Sequence, residues 1–293
     1  MSIVTENPDV QREIAHYLKT GSHNPACFAW PEGGILVRAQ KMNEALRSAL
    51  IEEVRKFSKG ILPPPGIGNV DQTALARTKI LPMVNGLFPE TERPLVMSMF
   101  EKSVVFLTSE NIERVLKDTT WANTAWKLAN LYLTSIGAPC LSEDAIPLEG
   151  FSEETTCFVS TRYFTQKDRF ADFIVHEAAH VFHNCKRMTI GLPYTRNREW
   201  LLEIDFRKRE TFAYSCEAYS RILEMCSSRK QIMPLLDEYT ATSRICDDQV
   251  QDDEVVDILK EAVSARNGWK RILKRCSPPV RTKTRTAGTG GSL

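Results

Sequence analysis

FADFIVHEAAHVFHN, residues 170–184, is the stretch from which the rest of the chain is read. The chain has five histidines, and three of them, His176, His180 and His183, fall inside it. Phe173, Ile174, Val181 and Phe182 make the segment apolar enough to be buried, and Ala178 and Ala179 keep it slim. On a helix, positions i and i+4 lie one turn apart on the same face, so His176 and His180 can hold a single ion. Glu177 stands about 100° round from His176, near enough to take a proton from a water at that ion. The helix is expected from about 169 to 184, with Asp168 as its N-cap. CFVSTRYF, residues 157–164, alternates well enough for a strand just before it. His183, at i+7 from His176, reads as a structural histidine or as one that orients a ligand.

Two imidazoles suit zinc, which binds nitrogen ligands in a tetrahedron and, where catalytic, keeps one position open for water. A third protein ligand must come from elsewhere. RKRETFAYSCEAYSRILE, residues 207–224, is predicted as part of a helix over 207–226. Glu210, Tyr214, Glu217, Arg221 and Glu224 share one face of it, and Phe212, Cys216, Tyr219, Leu223 and Cys226 form the apolar face opposite. The carboxylate candidates are Glu210, Glu217 and Glu203. Glu217 is also suited to accept a hydrogen bond from a ligating histidine. Tyr214 and Tyr194 are candidate donors to a developing oxyanion.

His176-Glu177-Ala178-Ala179-His180 resembles the H-E-x-x-H helix of the zincin metallopeptidases. The resemblance implies a zinc ion (Zn2+) on His176 and His180, Glu177 as catalytic base, and a protein or peptide as substrate. It also implies an antiparallel edge strand before the helix that aligns the substrate, a place that residues 157–164 occupy. The metzincin branch is excluded, because Val181, Phe182, His183, Asn184, Cys185 and Lys186 supply neither its glycine nor its third histidine. In the gluzincin branch the third ligand is a glutamate on a later helix. Glu210-Thr211-Phe212-Ala213 resembles the E-x-F-A segment around that glutamate in some gluzincins, which implies Glu210 as third ligand. The resemblance covers about 158–224, under a quarter of the chain. The implied fold is α+β and mostly helical: a zincin-like catalytic domain with a small mixed sheet, an active-site helix and a downstream glutamate helix.

The remaining sequence bounds these expectations. A chain of 293 residues should expose roughly 12,600 Å² of the roughly 48,000 Å² of its unfolded form, so neither disulfides nor a structural metal are needed for folding. Eight cysteines without C-x-x-C spacing read as reduced thiols. No apolar run approaches a membrane span, and the opening MSIVTENPDV has no signal-peptide character, so a cytoplasmic protein is expected. Phosphate-loop, dinucleotide and serine-hydrolase motifs are absent.

Helices are expected over 9–19, 43–58, 110–117, 121–135 and 252–265, with a strand over 103–108. The acidic run 246–261 lacks the glycine and spacing of a calcium loop and reads as a helix with a solvated acidic face. GILPPPGIGNV, residues 60–70, must be extended because of its three consecutive prolines, and marks a boundary. The expected organisation is an N-terminal helical region over 1–70, the metallopeptidase domain over 71–277, and a disordered basic tail over 278–293.

From Arg266 onward there are eight basic residues and no acid, although the whole chain has a formal net charge of only +1. The tail could touch nucleic acid, but it carries no aromatic residue for readout and is expected chiefly as a solubilising terminus. The alternative to an enzyme is a catalytically inert, zinc-stabilised regulatory or interaction protein whose basic tail finds its partner. Deleting Pro278–Leu293 is expected to leave the melting temperature and metal content unchanged, because the segment has little apolar surface to bury. A large drop in melting temperature in a thermal denaturation scan would show instead that the tail docks on the acidic body.

Overall fold

The alternating pattern around residue 157 places strand β3 (Thr156–Val159) at the centre of a three-stranded sheet of order β1-β3-β2. Strand β1 (Val104–Phe106) runs parallel to it, with Val105 opposite Phe158, and β2 (Gly150–Glu153) runs antiparallel, with Phe151 opposite Phe158. Successive side chains on a strand point to opposite faces. Val104, Phe106, Cys157 and Val159 therefore enter one core, while Phe158 and the partly buried Val105 and Phe151 enter another.

This computed structural model describes residues 7–31, 33–61, 70–242, 245 and 247–279. Most of the proline-rich stretch and the tail from 280 lie outside the described residues. Among the described residues eleven α-helices surround the sheet, which gives the mostly helical α+β fold expected from the sequence. On the Phe158 face lie α1 (Pro8–Thr20), α2 (Ile35–Ser58), α5 (Ile112–Asp118) and α6 (Ala122–Ser135). On the other face are α3 (Gln72–Leu87), α4 (Arg93–Phe100), α7 (Phe173–Asn184), α8 (Arg209–Met225), α9 (Ile232–Thr242), α10 (Asp252–Ser264) and α11 (Gly268–Cys276). No helix among the described residues is long and apolar enough to cross a membrane. The seven described cysteines are free thiols.

Helix α7 lies between the sheet and α8, against β2 and β3 on one side and α8 on the other. Helix α11 closes the far side by packing on α3 and α8. The approach to α3 is close: a Cβ on Gly86 would stand 2.0 Å from Trp269 Cδ1, so only a hydrogen fits there. Helix α10 buries Val255, Ile258, Leu259 and Ala262, and Asp252, Asp253 and Glu254 occupy its first turn, where the helix dipole favours acids.

Three expectations are corrected. The helix that carries His176 and His180 starts at Phe173 with Asp172 as N-cap, not at 169 after Asp168; Asp168 instead accepts from the Phe170 N–H in the preceding turn. The strand expected over 157–164 ends at Val159, because the Ser160 side chain accepts from Arg162 N–H and starts a 3-10 turn over Thr161–Phe164. Helix α2 begins at Ile35 rather than 43; its first turn carries exposed Ile35, Leu36 and Val37, which break the amphipathic pattern that located the start.

The loop after α7 is fixed by a buried ion pair. Arg187 is 0% exposed, and its guanidinium donates to Glu92 at 2.7 and 3.2 Å and to the Pro193 carbonyl at 2.6 Å. Arg198 shares the same carboxylate from the half-exposed side. Removing one partner of a buried pair leaves the other charge desolvated and uncompensated. Glu92→Ala is expected to destabilise the fold by about 3–5 kcal/mol, as measured by urea denaturation, without changing the ladder between β2 and β3.

Candidate metal centre

The start of α7 is held by Asp172. Its Oδ1 accepts from Val175 N–H at 3.3 Å, its Oδ2 stands 3.1 Å from Lys79 Nζ, and its own N–H donates to Glu217 Oε1 at 2.6 Å. Burial raises the Asp172 pKa, and Lys79 acts against that shift. Helix α7 is thus tied to α3 through Lys79 and to α8 through Glu217. The apolar side of α7 (Ile174, Val175, Val181, Phe182) is fully buried, which turns the face bearing His176 and His180 toward α8.

On that face three atoms converge. His176 Nε2 and His180 Nε2 are 3.1 Å apart, and Glu210 Oε2 lies 3.7 and 3.2 Å from them. Ligand atoms in a tetrahedral site with bonds of about 2.0–2.1 Å stand about 3.3–3.4 Å apart. The observed triangle brackets that value. The three side chains are 14, 12 and 30% exposed, so the cluster is reachable from solvent. Together His176, His180 and Glu210 form a group that could hold a metal ion.

Hydrogen bonds behind the cluster set which ring atoms face it. Glu217 Oε2 lies 3.0 Å from His176 Nδ1, so a carboxylate accepts there and His176 presents an Nε2 lone pair. On His180 the partner is another histidine. His183 Nδ1 donates to Asn184 Oδ1 at 3.0 Å, which leaves His183 Nε2 to accept from His180 Nδ1 at 3.0 Å. His180 therefore also presents an Nε2 lone pair. With both rings neutral, two lone pairs and a carboxylate oxygen face one another, an arrangement that suits a cation.

In the absence of a cation, the same carboxylates favour a proton on His176 instead. Burial opposes charge on His176, but Glu210 and Glu217 outweigh it and raise its pKa. Burial works to raise the Glu210 pKa, yet His176 and His180 hold it well below the usual carboxylate range. His183 is pushed down to about 3, by burial first and then by the neighbouring His180 and Arg209, and so stays neutral.

Glu177 lies on the β2 side of α7. Its carboxyl is buried, which raises its pKa; His180 and His176 act against that shift, as does a hydrogen bond with Ser152. The fit to β2 is tight: a Cβ on Gly150 would stand 2.5 Å from Glu177 Oε1. Residues 157–164 were expected to supply the antiparallel edge strand, but β3 is the central strand and β2 is the antiparallel edge. The side chains expected at the site meet as follows: His176, His180 and Glu210 converge, Glu177 stands beside them, and Glu217 backs His176. Glu203 is elsewhere, with Oε1 accepting from Glu199 and Trp200 N–H. The Tyr214 ring meets His176 edge to face at 4.6 Å between centroids, whereas Tyr194 is exposed on the loop after α7.

Sequence reasoning missed Gly150, Ser152, Asp172 and Asn184. Of these only Asp172 carried a signal, since an aspartate just before an apolar helical run is a candidate N-cap.

Glu210→Gln is expected to strip the metal ion on dialysis, because an amide lacks the charge that offsets a cation. Glu217→Gln and His183→Ala are expected to weaken retention by about 10- to 100-fold, as loss of a group that orients a ligand does. Competition with a chromogenic chelator measures all three; metal lost from Glu217→Gln but kept by Glu210→Gln would reverse the assignment. No protein-family model matches the chain, and no curated protein or solved structure matches it.

Proposed function

We propose that the chain is a zinc-dependent metallopeptidase of gluzincin-like type, acting on protein or peptide substrates. The observation that carries this reading is the convergence of His176 Nε2, His180 Nε2 and Glu210 Oε2 next to the buried Glu177, under an edge strand. Two imidazoles and one carboxylate are a ligand set that catalytic zinc takes, with a fourth position left open. When bound, zinc supplies Lewis acidity, polarising the scissile carbonyl and lowering the pKa of a water toward neutrality.

The chain's own residues do the rest. Glu177 accepts the proton of the attacking water and returns it to the leaving amine. Ser152 bonds to the Glu177 side chain, and the missing Cβ at Gly150 leaves that carboxylate room. Ser160 N–H donates to the Glu149 carbonyl, so alternation along the antiparallel ladder turns the N–H and C=O of Gly150 and Ser152 away from β3. An extended peptide can pair with that edge as an added strand, which brings its backbone over the metal ligands.

Glu177→Gln keeps size and shape but cannot accept the proton. It is expected to retain zinc and fold normally while losing about 10²–10⁴-fold in turnover. Gly150→Ala is expected to keep zinc and lose about 10²-fold, by displacing the Glu177 carboxylate by ångström-scale distances. Both are measured by comparing the peptides released from a cell extract, with metal content determined in parallel. Identical release by wild type and Glu177→Gln at full zinc occupancy would sink the peptidase reading and favour an inert zinc protein.

A further inference from the structure

Arg209 is the first residue of α8, so its Cα is about 3.8 Å from that of Glu210. Its guanidinium lies over the Phe206 ring, 4.9 Å from the centroid, and Phe206 is 78% exposed, so the pair stands at the surface, at the end of α8 that carries Glu210. Of the partly buried cations nearby, Lys208 pairs with Glu254, Arg221 with Glu224, and Lys79 with Asp172 and Glu224, while Arg207, which makes no ion pair among the described residues, is exposed to water. Arg209 makes no ion pair among the described residues, and its Nε is buried without a hydrogen-bond partner.

Resting on the peptidase reading, we infer that Arg209 anchors the C-terminal carboxylate of the substrate, so that the enzyme trims peptides from their C-terminal end. A guanidinium is a planar fork that matches a carboxylate with two parallel bonds, and a partly desolvated cation without an acid is costly until one arrives. The terminal carboxylate is the one anion that every peptide carries, whatever its sequence. With the anchor one residue from a metal ligand, the scissile bond falls close to the terminus. The step is a hydrolysis: the oxygen of one water bonds to the acyl carbon, the C–N bond breaks, and the water proton passes through Glu177 to the departing amine.

The test uses a randomised acetylated pentapeptide library, made once as free acids and once as C-terminal amides. Two readouts are taken on zinc-loaded protein: the termini generated by the wild type, and retention of each library on immobilised Glu177→Gln. Free acids are expected to be shortened from the C-terminus and retained about 10- to 100-fold better than amides, the range for hydrogen bonds to a charged group. Arg209→Gln should abolish that difference while keeping its zinc and melting temperature. Arg209→Lys, which keeps the charge but not the fork, should restore only part of it. Internal cuts, with acids and amides treated alike by the wild type, would overturn this inference and leave the peptidase reading standing. No cleavage beyond that of Glu177→Gln, with neither library retained, would overturn both.

Discussion

One carboxylate, Glu217, sets the geometry on which the centre depends. One of its oxygens takes the Asp172 N–H at the start of α7, and the other takes His176 Nδ1. The same side chain therefore fixes where α7 begins and which way its first histidine faces. Because α7 and α8 run past each other, locking 172 and 176 to 217 brings 180 level with 210, and the third member of the cluster falls into place about two turns from Glu217. His183 and Asn184 do for His180 what Glu217 does for His176, but from α7 itself.

Such a centre concentrates buried carboxylates, and each must be offset to persist in a low-dielectric interior. Lys79 stands between Asp172 and Glu224, and the Asp172 N–H and His176 occupy Glu217. Glu177 has the weakest compensation, with burial raising its pKa against two histidines and one serine hydroxyl. That imbalance suits the proton-transfer role proposed for it.

The helical parts of the site were legible because period and chemistry coincide. The face bearing His176 and His180 and the face bearing Glu210 and Glu217 both follow from spacing alone. The start of α7 was misplaced because Asp168 and Asp172 are equally good caps in a sequence. What separates them is Lys79 and Glu217, which arrive from distant parts of the chain. Strand β2 was invisible: Gly150-Phe151-Ser152-Glu153 is short, begins with glycine and has no apolar alternation. Helix α3 hid behind Pro82, a residue that argues against helix yet lies inside one. The choice between Glu210 and Glu217 rested on a resemblance, since both lie on the same meridian. Only interatomic distances separate a ligand from the group that supports one.

The sheet has a consequence for how this sequence can vary. Its strands send Val104, Phe106, Cys157 and Val159 to the side of the metal centre, and Phe158 to the side of α1, α2, α5 and α6. The two clusters share no side chain, so substitutions well separated across the sheet should combine additively. The far layer can then drift in sequence, exchanging one well-packed set of apolar residues for another, provided the sockets for Leu107 and Phe158 stay filled. A lineage of such chains would keep the half that bears His176, His180 and Glu210 recognisable while its N-terminal helices became unalignable.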